Sequence, residues 1–257
     1  MTRFLTICAL GLLTTSSLTT LSYAEDAPAG LTVAQKDEVN TLIETFIREN
    51  PNVLLESIQQ HQIDAQAKAE AEAVEKLNTH KEYLTSDALP HVGNPKGDIK
   101  IIEFFDYNCG YCKRAFQDLI LLLEADKNVE VIFVDMPILG DSSLEASKWS
   151  LAAEEQDKYF DFHTALMKFS GQKDENSLKT LAEASGLDLA KLEEAAKDPK
   201  IVETIEKHLA VARDLGIGGT PGFIINDQIY RGYLGYDGLK GVIDEIRNAK
   251  KDDTAAE

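Results

Sequence analysis

Cysteine is scarce in this sequence, with three in 257 residues, and positive charge is outnumbered, with 26 Lys and Arg against 44 Asp and Glu for a formal charge of −18. A surplus of acid repels nucleic-acid backbones and anionic lipid alike unless a local basic patch reverses the field. No such patch occurs, so no nucleic-acid partner is expected. Seven prolines and sixteen glycines without a period are too few for a collagen-like or low-complexity chain, and no hydrophobic run suits a polytopic membrane protein. What is present is an ordinary globular composition, 44% hydrophobic, sufficient for one large domain or two smaller ones.

Residues 1–24 read as a cleaved secretory signal peptide. Arg3 is the positive start, Phe4–Leu13 the apolar segment, and Ser22-Tyr23-Ala24 a small-x-small cleavage site. The competing reading is a membrane anchor, but the apolar stretch is short and residues 14–20 are rich in hydroxyls. Export to the periplasm, an oxidising compartment, is therefore expected. Cleavage removes Cys8 and leaves Cys109 and Cys112. Cysteines so close in sequence would close a ring too small to restrict the unfolded chain much, so redox chemistry explains them better than a structural staple.

From Thr32 the spacing predicts a helix, with Thr32 and Gln35 as a capping box and Val39, Leu42, Ile43, Phe46 and Ile47 at helical steps. Asn50-Pro51 restarts a second helix, expected to run through Leu77, whose apolar content thins after Ile63 into an Ala-rich spacer. The stripe that includes Leu54, Leu55 and Ile58 is more than these helices alone enclose. Either it packs on the protein's own globular domain, or it associates with another copy, making a homo-oligomer through residues 31–80.

Residues 25–90 thus form an N-terminal helical segment and linker, and 91–251 an α/β domain. Ile99–Tyr107 has the β-branched and aromatic content of a buried strand, and the following helix opens at the cysteines and carries Phe116, Leu119, Ile120 and Leu123 on one face. Val129–Asp135 is a second strand, so strand, helix and strand imply a parallel crossover. No strand signal follows until after Leu215. The region of about 140–215 reads as a helical insertion broken at Gly171, Gly186 and Pro199, with Trp149, Tyr159, Phe160 and Phe162 as packing residues. Phe223–Ile225 and Ile229–Arg231 suggest a hairpin, Tyr236–Ala249 a last helix, and 252–257 a disordered tail. His61, His80, His91, His163 and His208 fall at no metal-ligand spacing, so no metal or other cofactor is expected. The remaining metal option is copper or zinc held between the cysteines of two chains.

FFDYNCGYC opening a helix after a buried strand, then a helical insertion, then Thr-Pro entering a hairpin, resembles the DsbA family of thioredoxin-fold disulfide oxidoreductases over about Gly97–Ala249. The N-terminal segment with ENPNVLLESI is similar to the ScsC-like subgroup, in which such a segment makes oligomers. The resemblance implies a thioredoxin fold with a helical insertion, preceded by an N-terminal helical oligomerisation segment.

Cys109, at a helix N-terminus, faces unsatisfied backbone donors and the positive end of the helix dipole, which favour a thiolate and mark it as the nucleophile. Cys112, one turn on, would resolve the mixed disulfide by attacking Cys109. Lys113 and Arg114 either add positive potential or form a solvated helix face. Gly110 and Tyr111 between the cysteines resemble the dipeptide of the isomerase DsbC rather than the Pro-His of strong oxidants. That implies a potential nearer roughly −180 mV than roughly −120 mV. Glu103 is costly in an apolar strand. The resemblance makes it a buried acid that exchanges protons with Cys112, and the alternative is a strand-end carboxylate reaching solvent. Asp106 reads as a turn-forming or surface residue. The resemblance also makes Pro221 a cis proline against the dithiol, with the Thr220 backbone pairing with an extended substrate and its hydroxyl near the cysteines. Gly218, Gly219 and Gly222 give a permissive backbone around it.

The resulting expectation is an oligomeric disulfide isomerase or reductase for unfolded or misoxidised exported proteins, kept reduced by a DsbD-like membrane partner. The alternatives are a DsbA-like oxidase served by a DsbB-like partner, and a noncatalytic chaperone or metal-binding module.

Overall fold

The computed structural model describes residues 30–255. The expected signal peptide lies outside the described residues. The chain divides into two compact units, Met1–Gln60 and His61–Glu257.

In the first unit α1 (Val33–Glu49) begins at Thr32, whose hydroxyl accepts from Gln35 N while the Gln35 side chain returns to Thr32 N, a closed capping box. The apolar residues of α1 and of the start of α2 (Pro51–Leu84) are all exposed, among them Leu42, Phe46 and Leu55. The helix α2 continues to Leu84, past the Leu77 end expected. Its last turns are no spacer: Ala73, Leu77 and Leu84 are buried in the core of the second unit. This is why the units divide at 60 rather than at the expected 90. Burying each of these leucines contributes about 1.5–3 kcal/mol.

The second unit is built on a five-stranded sheet of order β1-β3-β2-β4-β5, from β1 (His91–Gly93), β2 (Ile99–Phe105), β3 (Val129–Asp135), β4 (Gly222–Ile225) and β5 (Gln228–Arg231). β2 and β3 run parallel, joined through α3 (Gly110–Ala125), and the other pairings are antiparallel. The short strand β1 was not expected; three residues carry too little periodicity to mark it. Side chains alternate across the sheet. On one face Ile99, Ile101 and Phe105 of β2 with Val131 and Phe133 of β3 meet α3 and the helical layer. On the other, Ile102 and Phe104 meet Leu77 and Leu84 of α2 and Val211 of α8 (Pro199–Asp214).

The insertion is helical throughout: α4 (Asp141–Ala152), a short 3-10 turn (Ala153–Gln156), α5 (Tyr159–Lys168), α6 (Glu175–Ala184), α7 (Leu189–Ala195) and α8 (Pro199–Asp214). Pro199 is the first residue of α8, where its missing N–H costs nothing. The hairpin turns on Asn226-Asp227, with Asn226 at φ 52° and its side-chain oxygen accepting from Lys100 N at 2.9 Å. The last helix α9 (Gly235–Ala255) passes the expected end at Ala249 and takes in most of the tail expected to be disordered.

Candidate active site

Three elements meet at Cys109. β2 carries the chain in from the centre of the sheet. Asp106 then turns it, its backbone oxygen accepting from Cys109 N at 3.0 Å. Cys109 is the N-cap of α3, with its Sγ accepting from Cys112 N at 3.3 Å. From the opposite side the Thr220–Pro221 bond, which is cis, brings the Thr220 main-chain oxygen to 3.3 Å from Cys109 Sγ. Both cysteines are free thiols.

The electrostatics separate the two sulfurs. Cys109 is held down to about 5, first by the hydrogen bond from the Cys112 side chain, then by the Thr220 side chain and the backbone N–H groups of Cys112 and Tyr111, against the opposing effect of burial. Cys112, with no exposed surface, is pushed up by burial, by its bond to Cys109 and by the charge of Glu103. Glu103 lies on the α3 face of β2, between Ile101 and Phe105 in the strand's alternation. It is fully buried, neither carboxyl oxygen has a hydrogen-bond partner, and desolvation followed by the Cys109 charge raises it to about 8. Glu103 therefore does not reach solvent at a strand end; it holds a proton at neutral pH beneath the dithiol.

Tyr111 is 57% exposed, with its ring 5.9 Å from that of Tyr233 and the Arg114 guanidinium 5.2 Å from its centre. Gly110 has open space where a side chain would stand, as do Gly218 and Gly219. Of the glycines around Pro221 only Gly222 is required sterically, since a Cβ there would lie 2.5 Å from the Ile217 methyl group.

Asp106 corrects the surface reading. It is fully buried, and its carboxylate accepts from Asn108 N (2.7 Å), Ser143 Oγ (2.7 Å), Ile138 N (2.8 Å) and Leu139 N (2.9 Å). The loop after β3 is thereby pinned beside the nucleophile. The sequence reading also missed Asn108 and Lys173, and it missed His163, which sits inside the core with Nδ1 2.9 Å from Tyr107 Oη. The Asp-x-Asn turn just before the cysteine was the one available signal for the first of these. Among the described residues no group of three or more His, Cys, Asp or Glu is arranged to hold a metal ion.

A thioredoxin sheet with a low-pKa cysteine capping α3, a buried partner thiol and an acid beneath them defines a thiol–disulfide oxidoreductase. A family model described as Thioredoxin matches residues 85–245, and the chain belongs to this family, in its DsbA branch and ScsC-like in form. A thioredoxin-like oxidoreductase from Silicibacter pomeroyi is 37% identical over 65% of this chain and 98% of its own, with a TM-score of 0.63. ScsC of Proteus mirabilis in a transitional conformation is 30% identical, covering 85% of this chain and 98% of its own at a TM-score of 0.62. A periplasmic thioredoxin-like protein from Salmonella enterica is 30% identical over 65% of this chain and 95% of its own, TM-score 0.60. Among curated relatives, disulfide bond formation protein D of Bacillus subtilis is 26% identical over 63% of this chain and 78% of its own length. The chain also matches 24% of the length of Na(+)/H(+) antiporter NhaA 1 of Salinispora arenicola, at 24% identity, so the shared segment is one part of that longer protein.

Proposed function

We propose that the protein is a periplasmic disulfide isomerase or reductase that acts, as an oligomer, on unfolded or misoxidised exported proteins. The observation that carries this reading is the unburied apolar face of α1 and the start of α2, where Leu42, Ile43, Phe46, Leu54, Leu55 and Ile58 all stand exposed in the single chain. Covering such a face with the same face of other copies stabilises the assembly and sets several dithiols around one cleft. The Salmonella relative's periplasmic description and the Proteus ScsC match across most of this chain support the same reading. So do Gly110-Tyr111, which bring no imidazolium to the thiolate.

In this mechanism the Cys109 thiolate attacks a substrate disulfide, forming a mixed disulfide and releasing one substrate thiolate. The Cys112 thiol gives its proton to Glu103 once that acid has ionised, and the Cys112 sulfur attacks Cys109. The Cys109–Cys112 disulfide forms and the second substrate sulfur leaves and is protonated. Two electrons and two protons pass to the substrate, and a DsbD-like membrane donor must return the pair to the dithiol. In isomerisation a substrate thiolate attacks the mixed disulfide instead, and no electrons are consumed.

One observation favours the oxidase alternative: a Cys109 held down to about 5 is a good leaving group, and a disulfide containing it is readily reduced by substrate thiols. That form would be reoxidised by a DsbB-like partner. Acid quenching of whole cells followed by alkylation with a mass-shifting reagent separates the two. A reduced Cys109–Cys112 pair supports the isomerase or reductase; an oxidised pair overturns it in favour of the oxidase.

A further inference from the structure

The residues that bracket the Cys-Gly-Tyr-Cys segment are both tied to one short stretch, the last turn of α5 and the loop that leads from it to α6. Lys113, directly after Cys112, donates from Nζ to the main-chain oxygens of Leu166 (3.3 Å), Met167 (3.2 Å) and, in a shorter contact, Phe169. In return Lys173, just beyond that stretch, donates to Asn108 Oδ1 at 3.0 Å. Asn108, directly before Cys109, passes the link on, its amide donating to Ser142 Oγ (2.8 Å) and Ser143 Oγ (2.9 Å). Ser143 completes the circuit at Asp106.

Lys173 is an unusual residue for this place, being only 3% exposed. Among the described residues no carboxylate forms an ion pair with it. The charged groups that bear on it are the Lys113 ammonium, which opposes its charge, and the Asp106 carboxylate, which favours it, and burial with Lys113 brings it down to about 8. An apolar side chain of similar length would avoid the desolvation cost, so stability alone does not account for a lysine here.

We propose that Lys173 is a positioning residue for the nucleophile: through Asn108 it fixes the turn that aims the first N–H groups of α3 at Cys109 Sγ. Hydrogen-bond strength falls steeply with misalignment, so a loosened turn weakens the donors that hold the thiolate. The inference rests on the dithiol chemistry of the family and holds whichever way electrons flow, so failure of the isomerase reading leaves it standing.

The test uses the full chain with Lys173→Met, Lys173→Gln, Asn108→Ala and the Lys173→Met/Asn108→Ala double variant. Iodoacetamide alkylation of Cys109 against pH and equilibration with glutathione are read beside thermal unfolding. Lys173→Met should move the alkylation midpoint up by about half a pH unit, a roughly threefold change in the thiol–thiolate ratio. Lys173→Gln, which keeps a donor for Asn108, should recover most of that shift, and the double variant should add nothing to it. A Lys173→Met protein that unfolds at the wild-type temperature with an unchanged profile and glutathione equilibrium overturns the proposal, as do fully additive effects. Should Lys173→Met not fold, Asn108→Ala decides alone: an upward shift upholds the link, and an unshifted midpoint overturns it.

Discussion

Replacing Glu103 by Gln removes a titrating group while keeping its shape, and the structure sets the size of the effect. The Glu103 carboxyl goes from an ordinary 4.5 to about 8 through burial first and the Cys109 charge second. A raised acid contributes stability that is fully present below its unfolded pKa and is lost as pH rises toward the folded one, because the unfolded chain releases a proton that the native state keeps. Each pH unit in that window costs about 1.4 kcal/mol, so the loss between pH 4.5 and pH 7.5 is about 4 kcal/mol. The oxidised protein isolates this effect. In the reduced form Cys109, depressed to about 5, acts with the opposite sign and adds stability as pH rises above that value. Urea unfolding of the oxidised wild type and of oxidised Glu103→Gln should therefore diverge from pH 4.5 upward, with the variant gaining on the wild type at pH 7.5 by less than the full ~4 kcal/mol, because the disulfide lacks the Cys109 charge that supplies the smaller part of the shift and only the larger part, burial, remains. In the same variant, release of substrate from the mixed disulfide should slow by about a hundredfold, the ordinary value of a positioned proton acceptor. Parallel unfolding profiles would refute the reasoning, since they would mean a carboxylate already ionised in the native protein.

Cys109→Ser should abolish thiol exchange, and Cys112→Ser should trap substrate as a mixed disulfide visible on non-reducing gels; activity of both variants equal to wild type would leave only a binding module. Alkylation of Cys109 should have its midpoint near pH 5, the thiolate being present above it and lost as pH falls through it. Deleting residues 25–60 should leave dithiol oxidation intact, convert the assembly to monomer in light scattering and depress isomerisation, and an unaltered isomerase rate would contradict the shared-cleft argument. Leu77→Ala, by contrast, should destabilise the catalytic unit by about 2–5 kcal/mol in chemical unfolding, because this residue packs against the sheet.

What could be read from the sequence depended on whether the signal was local. The capping box at Thr32, the strand before the cysteines and the break between helices at Pro199 are each written within a few residues, and the structure has them. The end of α2 depended on what lay opposite in space: Leu77 and Leu84 are spaced too sparsely among charged residues to look like a core, and only the sheet face shows why they are buried. The same holds around the dithiol. Glu103 and the cysteines stand in one short string and Pro221 follows a recognisable Thr-Pro entering a hairpin, whereas Lys173, 65 residues from Asn108, carries no local pattern that points to the dithiol. Asp106 misled for another reason. An Asp after a strand is ordinarily solvated, and its burial here follows from four donors supplied by three separate stretches of chain.

The three titrating groups at the site also restrict one another. Cys109 is low partly because Cys112 donates to it, and Cys112 is high partly because it makes that donation and faces Glu103. Glu103 in turn is high partly because the Cys109 thiolate lies near it. Forming the mixed disulfide removes the Cys109 charge, and two consequences follow at once. Cys112 loses the acceptor that held its proton, and Glu103 loses the charge that raised it, so the acid ionises more readily just when a proton acceptor for Cys112 is needed. In the mechanism proposed above, attack on substrate therefore primes the resolving step through charge alone. This coupling is strongest for a carboxyl that is buried and unpaired, as at Glu103: a solvated acid would already be ionised and would respond to the thiolate hardly at all.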